Sequence, residues 1–315
     1  MKEEMAIEAR NLKKHFGKIA AVDGIDIEGH KGTVIALLGP NGAGKTTTVK
    51  LLTTQLLPDE GQALVMGYDA AAEPHEVRKR IGITFQETSI DEALTGQQVL
   101  EFTGELYGLK RRQNKIRTGE LLEMVGLSDA ARRKTSTYSG GMKRRLELAR
   151  SLMNTPDVLI LDEPTLGLDP QTRKKVWEYL MFLKEHKRMT ILLTTHYLDE
   201  AEQISDFVYI IDYGKVVKAG KAENLIRELG NDTIRLEGEG DAGSLKDQLG
   251  TVAFIQSLSI SEDNILHVGV DSGQQRVPQI LELAAQSGFN VSEVGIDRPD
   301  LGDVFFSAVG REIRE

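Results

Sequence analysis

Five short apolar runs mark the first two-thirds of the chain, at residues 34–38, 81–85, 158–161, 191–195 and 207–211. Each is rich in Val, Ile and Leu and continuous rather than alternating, the pattern of strands covered on both faces of a sheet. Longer amphipathic stretches lie between them, at 46–56 and 143–153, and the alternation predicts an α/β sheet domain. Residues 6–12 and 19–27 read differently and predict a small antiparallel β element attached to that sheet. From Leu94 to about Tyr138 three- and four-residue steps take over: Val99, Phe102, Leu106 and Leu109, then Leu121, Leu122, Val125 and Leu127. They predict a helical insertion, over about 90–138, standing off the sheet.

A composition break falls at Leu229-Gly230-Asn231-Asp232, and the pattern beyond it changes. Ile234 and Leu236 alternate, 244–249 reads as helix, and 252–260 and 265–270 read as paired strands. Glu262-Asp263-Asn264 supplies the turn between them. Val277, Ile280, Leu281 and Ala284 mark a second helix, and 290–296 a last strand. The order β-α-β-β-α-β is that of a split βαβ, ferredoxin-like unit. Pro299 suits a first helical position, ahead of a short amphipathic helix with Leu301, Val304, Phe305 and Ala308 on one face. The expected division is a domain over 1–229 and a small α+β domain over 230–315.

The 315 residues include 39 basic and 48 acidic side chains, a formal charge of −9. That length suits roughly one to three domains. Charged residues at 28% and hydrophobic residues at 40% describe a soluble globular protein with a sizeable core. There is no cysteine, which excludes a disulfide framework, thiolate zinc sites and thiol catalysis. The acidic balance argues against a general nucleic-acid binder, whose affinity comes from neutralising phosphates. No apolar run approaches the roughly 18 residues of a membrane span, and the Met1 end lacks the apolar core of a secretory signal. The expectation is a cytoplasmic protein whose role at a membrane comes through a partner.

Gly39-Pro40-Asn41-Gly42-Ala43-Gly44-Lys45-Thr46 fits G-x-x-x-x-G-K-[ST], after a strand and at the start of a helix, the context that motif requires. The glycines let backbone N–H groups turn toward phosphate oxygens, and the helix start favours the anion further. Lys45 would meet β/γ-phosphates and the Thr46 hydroxyl would ligate Mg²⁺. The loop alone names no reaction, since kinases, GTPases and ATPases share it. Val158-Leu159-Ile160-Leu161-Asp162-Glu163 is an apolar strand ending in two carboxylates, delivered to the edge where open α/β sheets bind ligands. Asp162 would hold Mg²⁺ through water. Glu163 points to the other side of the strand and could polarise an attacking water, as a hydrolase needs. Ser139-Gly140-Gly141-Met142 is a second glycine motif, with Ser139 a good N-cap for the helix that follows. Taken by itself it is either a capped helix or an anion site.

The order of these motifs resembles the ATP-binding subunit of ABC transporters. Gly39 to Thr46 resembles the Walker A loop, Gln86 the Q-loop, Tyr138-Ser139-Gly140-Gly141-Met142 the family signature, and residues 158–163 the Walker B strand with its glutamate. Leu166-Gly167-Leu168-Asp169 looks like the D-loop, and His196 like the switch histidine. Phe16 sits where the family places an adenine-stacking aromatic. Two residues depart from the pattern: Met142 stands where the signature usually has Gln, and Leu166 where the D-loop usually has Ser. A finer resemblance, to daunorubicin-resistance-type exporter ATPases, rests on the YSGGM signature, on FQETSIDEALTG after the Q-loop, and on the C-terminal PDLGDVFFSAVGRE segment.

The resemblance implies a P-loop NTPase of the ABC ATPase type that binds and hydrolyses ATP with Mg²⁺ and powers a membrane exporter. It implies an ATP-dependent homodimer, head to tail, and a separate integral membrane permease, with the chain peripheral on the cytoplasmic face. Nucleotide contacts would come from Phe16, Gly39, Pro40, Asn41, Gly42, Ala43, Gly44, Lys45, Thr46, Thr47, Gln86, Ser139, Gly140, Gly141 and Asp169. Mg²⁺ would be held by Thr46, Gln86 and Asp162, and catalysis carried by Glu163, His196 and Lys45. No nucleic-acid or disulfide partner is expected. The rival readings are a non-transport ABC ATPase working on nucleic acid or ribosomes, and a nucleotide-gated binding module without turnover. Lys110-Arg111-Arg112 and Arg132-Arg133-Lys134 read as solvated faces, Lys143-Arg144-Arg145 as positive charge near ATP, and Trp177 as packing. The remaining histidines (His15, His30, His75, His186 and His267) show no metal spacing.

Overall fold

The computed structural model describes residues 4–86, 90–229, 232–261 and 265–310. The chain opens with two long strands, β1 (Met5–Phe16) and β2 (Ile19–His30), then β3 (Val34–Leu38), α1 (Lys45–Leu52), β4 (Glu60–Val65) and β5 (Tyr68–Asp69). Next come α2 (Pro74–Arg80) and β6 (Ile81–Thr84), followed by the insertion helices α3 (Gly96–Leu106) and α4 (Arg111–Met124). The sheet resumes through α5 (Gly140–Ser151), β7 (Val158–Asp162), α6 (Pro170–Lys187), β8 (Thr190–Thr195), α7 (Leu198–Ile204), β9 (Phe207–Asp212) and β10 (Lys215–Gly220). After α8 (Ala222–Leu229) the chain runs β11 (Asp232–Glu239), α9 (Ala242–Leu249), β12 (Ile255–Ile260), β13 (Leu266–Val270), α10 (Gly273–Gln286), β14 (Asn290–Asp297) and α11 (Leu301–Val309).

Two compact units result, one of residues up to Ala222 and one from Glu223 to Gly310, so the division falls at the start of α8. In the first, a six-stranded sheet has the order β10-β9-β3-β8-β7-β6, and a four-stranded sheet the order β2-β1-β4-β5. β9, β3, β8, β7 and β6 are mutually parallel, and β10 turns back antiparallel on β9. Every residue of β3, β7 and β8 is buried, which is why their sequences run apolar without alternating. Ile7, Leu12, Ile25 and Ile27 of the antiparallel sheet share one core with Ile35, Leu37, Val158 and Ile160 of the parallel one. The Tyr209 hydroxyl fastens the two layers, accepting from the Glu28 N–H at 2.8 Å and donating to its carbonyl at 3.0 Å.

The second unit is a four-stranded antiparallel sheet of order β12-β13-β11-β14. Its core gathers Ile234, Leu236, Leu266, Val268 and Val270 of the sheet with Leu245 and Leu249 of α9 and Ile280 and Ala284 of α10. Among the described residues, no helix is long and apolar enough to cross a membrane.

Several element boundaries differ from expectation, each for a local reason. α1 stops at Leu52, not near residue 56, because Thr54 takes a left-handed backbone with φ 65°. α5 starts at Gly140, ahead of residue 143, because Ser139 caps it. β12 starts at Ile255, after a turn in which its N–H donates to the Val252 carbonyl. Pro299 is not the first helical residue of α11. Asp300 forms a capping box with Asp303, so the helix begins at Leu301. The turn expected at Glu262-Asp263-Asn264 lies outside the described residues, as do Gly230 and Asn231 of the composition break, Glu87, Thr88 and Ser89 after Gln86, and Arg311 and Glu312 near the end.

Candidate nucleotide site

The loop from Gly39 to Gly44 joins β3 to α1 at the carboxyl end of the parallel sheet, where doubly wound folds place ligands. A Cβ on Gly39 would lie 2.3 Å from the Ile211 carbonyl, and one on Gly44, whose φ is 108°, would lie 2.3 Å from the Ala21 carbonyl. Both positions therefore require glycine. Backbone bonds brace the loop from outside: the Gly214 N–H donates to the Ala43 carbonyl at 2.9 Å, and the Asp23 N–H donates to the Gly214 carbonyl at 2.8 Å. Lys45 is 4% exposed. Its Nζ donates to the carbonyls of Gly39 (2.8 Å) and Pro40 (3.1 Å) and lies 3.5 Å from Glu163 Oε1. Burial holds its pKa below the ordinary value, although Glu163 and Asp162 pull the other way.

Asp162, 1% exposed, ends β7. Its Oδ1 accepts from the Thr194 hydroxyl at 2.5 Å and the Thr46 hydroxyl at 3.2 Å. Thr46 and Asp162 thus stand side by side, an all-oxygen donor set of the kind Mg²⁺ takes. Glu163 follows with a left-handed backbone, φ 49°, so its direction is set by that turn and not by simple strand alternation. The turn aims its carboxylate at Lys45, and His196 Nδ1 lies 3.3 Å from the same Oε1. That nitrogen is buried and has no aligned hydrogen-bond partner. A cavity of about 350 Å³ gathers Asn41, Gly42, Ala43, Gly44, Lys45, Thr46, Thr47, Gln86 and Glu163, with Ala21 at its rim.

Other expected residues stand outside this cavity. Phe16 is half-exposed at the end of β1. Asp169 caps α6, accepting from the Thr172 N–H (2.9 Å) and hydroxyl (2.6 Å), and the hydroxyl hydrogen bond holds its carboxyl below the usual range. Ser139 caps α5 by accepting from the Met142 N–H at 3.3 Å, and Ser139 and Gly140 are exposed. The Gly141 N–H also lies in that first turn, where no helical carbonyl can meet it.

The three residues of the basic run after the signature have different partners, and Lys143 pairs with Glu92. Arg144 is buried, and Arg145 donates to the Val125 carbonyl at 2.8 Å. Arg144 binds backbone at the end of β7, a role that nothing local in the sequence signals. Thr194 is also new, though a hydroxyl inside a buried strand, paired in register with Asp162, is a readable signal. Trp177 packs as expected, and its indole N–H also donates to Glu200 at 2.9 Å. Glu200 has no exposed surface and accepts a second bond from the Thr165 hydroxyl, also at 2.9 Å. A cleft of about 1010 Å³ lies elsewhere. Ile81, Ile83 and Phe85 line it from the sheet side, and Val99, Phe102 and Leu106 of α3 from the insertion.

A parallel sheet with a glycine phosphate loop, a buried lysine and an acidic strand end defines a P-loop nucleoside triphosphatase. The sequence profile of the ABC transporter family matches residues 22–166. The daunorubicin/doxorubicin resistance ATP-binding protein DrrA of Streptomyces peucetius is 40% identical over 308 residues, 97% of this chain and 92% of that one. The linearmycin resistance ATP-binding protein LnrL of Bacillus subtilis is 35% identical over 311 residues, 98% of this chain and 100% of that one. Among solved structures, a dimeric ATP-binding cassette in a post-hydrolysis state with ADP and Pi superposes with a TM-score of 0.63 at 25% identity. The match covers 98% of that cassette and 68% of this chain. The chain belongs to the ABC transporter family, as an ATP-hydrolysing cassette.

Proposed function

We propose that this chain is the energy-converting subunit of an exporter for an antibiotic-like small molecule or lipid, working as an ATP-bound pair of copies. The observation that carries this reading is the divided site. The cavity gathers Lys45, Thr46, Gln86 and Glu163, while Ser139, Gly140 and Gly141 lie outside it at an exposed helix start. Head to tail, each triphosphate lies between the loop of one copy and the signature of the other. The γ-phosphate then supplies charge that donors from both copies meet, and hydrolysis removes it, so nucleotide biases a two-state assembly.

Within each half-site Lys45 leaves its loop carbonyls to meet the β/γ-phosphates. Glu163 takes the proton of the attacking water, and His196, with its unbonded Nδ1, holds that water and Glu163 in register. Thr46, Gln86 and Asp162 would hold Mg²⁺, whose charge neutralises the phosphates. Phe16 stacks on the base, and Asp169 contributes across the pair. The names of the relatives, which concern drug and linearmycin resistance, support export.

The apolar cleft suits a helix of a membrane permease subunit, which would hold the cassette at the cytoplasmic face. Phe102, Leu106 and Tyr107 are at least half-exposed beside it, and Phe85 at its wall precedes Gln86. We assign the first unit to the cassette and the second, which starts at Glu223 and not at the expected residue 230, to a ferredoxin-like accessory domain, a fold that the order β12-β13-β11-β14 supports.

The test is Glu163→Gln. ATP affinity should persist, turnover should fall roughly 10²–10⁴-fold, and ATP should drive a dimer on size exclusion. Wild-type turnover refutes Glu163 as the base, and a variant that stays monomeric at every ATP concentration refutes the divided site.

A further inference from the structure

We propose that Arg144 is the positioning residue that ties the signature helix to the catalytic end of β7, so that each nucleotide site senses the other. The inference rests on the divided-site reading above.

A guanidinium carries five N–H donors in a rigid fork, and here five acceptors meet them. Nε donates to the Pro164 carbonyl at 2.7 Å. Nη1 donates to the Phe85 carbonyl at 2.6 Å and to Glu147 Oε2 at 3.2 Å. Nη2 donates to the carbonyls of Asp162 at 3.0 Å and Glu163 at 2.8 Å. The side chain is 9% exposed, and a buried cation is tolerated only with such complete pairing. Four of the five acceptors are backbone carbonyls in two segments that carry the chemistry: the residue before Gln86, and the run from Asp162 to Pro164.

Glu163 is the residue that most needs holding. Its left-handed backbone is unfavourable for any side chain and persists only where the surroundings over-determine it. Its N–H is held by Thr194, through the hydroxyl at 3.0 Å and the carbonyl at 3.2 Å. Its own carbonyl and both flanking ones are held by Arg144. The guanidinium therefore sets where the Glu163 carboxylate points.

The other end of the connection is short and stiff. Arg144 lies one helical turn beyond Gly140, the first residue of α5, and Ser139 caps that helix. In the assembled pair, ATP seated against Ser139 and Gly141 of one copy loads the start of this helix. One turn later Arg144 passes the displacement to Glu163 of that same copy, which serves the other nucleotide. A lysine cannot make this link, because three donors radiating from one nitrogen do not span carbonyls in two segments.

The experiment compares the wild type with Arg144→Lys and Arg144→Met, alone and combined with Glu163→Gln. Expected for both variants is ATP affinity within about twofold of wild type and an intact ATP-driven dimer in the Glu163→Gln background. Their kcat should fall on the order of 10–10²-fold, as for a misplaced catalytic group, and a wild-type Hill coefficient above 1 should drop to 1. Unchanged kcat and Hill coefficient overturn the assignment of Arg144. So does a parallel loss of ATP affinity, dimer and kcat, which would make Arg144 fold packing alone. If Glu163→Gln by itself fails to dimerise, the divided-site reading falls instead.

Discussion

A carboxylate with no exposed surface must be met by donors or keep its proton, and Glu200 does something of each. Burial pushes its pKa above the ordinary 4.5, while hydrogen bonds from Thr195, Trp177 and Thr165 restrain the rise. The fold thus favours the neutral acid, so this group's contribution to stability is complete below pH 4.5 and is lost as pH climbs through the raised value. Glu200→Gln keeps an acceptor for the same donors and removes the titration. Its Tm relative to wild type should be higher at pH 8 than at pH 5, and an equal difference at both would show that Glu200 does not titrate in this way. Lys45 poses the opposite problem, a cation whose burial is eased by two carbonyls and Glu163. Lys45→Ala should weaken ATP binding measured by titration calorimetry, and unchanged affinity would remove it from the phosphate site.

The elements divide into those that position chemistry and one pair that leaves apolar surface uncovered. α3 begins with a capping box at Thr95 and Gln98, which fixes the insertion where it leaves the sheet, yet Phe102 and Leu106 stay 57% and 72% exposed. Leu106→Asp should release the cassette from permease-containing membranes in a sedimentation assay while ATP-driven dimerisation continues. Retention at the wild-type level would assign that surface to something else. The buried strands were legible within a residue or two, because a strand covered on both faces has no polar alternation to hide it. The phosphate loop and acidic strand end were equally plain, since their chemistry is local. Arg144 was not, because four of its five acceptors lie 18 to 59 residues away along the chain and are carbonyls, which any residue supplies. The Pro299 expectation failed on a closer contest, in which a carboxylate able to accept an N–H outbid a ring that merely suits the first turn.

At the scale of the molecule, each unit has a hydrophobic cluster of its own, one between the sheets of the cassette and one under β11–β14, where Phe289 is 1% exposed. Phe289→Ala should cost about 3–5 kcal/mol, the usual range for emptying a buried aromatic site. Hydrogen exchange should then accelerate in β11, β13 and β14, with β3 and β8 protected as before. Loss of protection in both sets would mean that one cooperative unit spans the chain. The phosphate loop, for its part, is braced through main-chain atoms: Ala43 to Gly214, Gly214 to Asp23, and the Ala21 carbonyl against Gly44. A support made of peptide groups is indifferent to most side chains. Saturating substitution across this region should therefore find broad tolerance at Asp23, whose bond to Gly214 is made by its N–H, and none at Gly39 or Gly44, where any added carbon strikes a carbonyl. The nucleotide cradle would then drift freely in sequence around a few fixed points while keeping its shape.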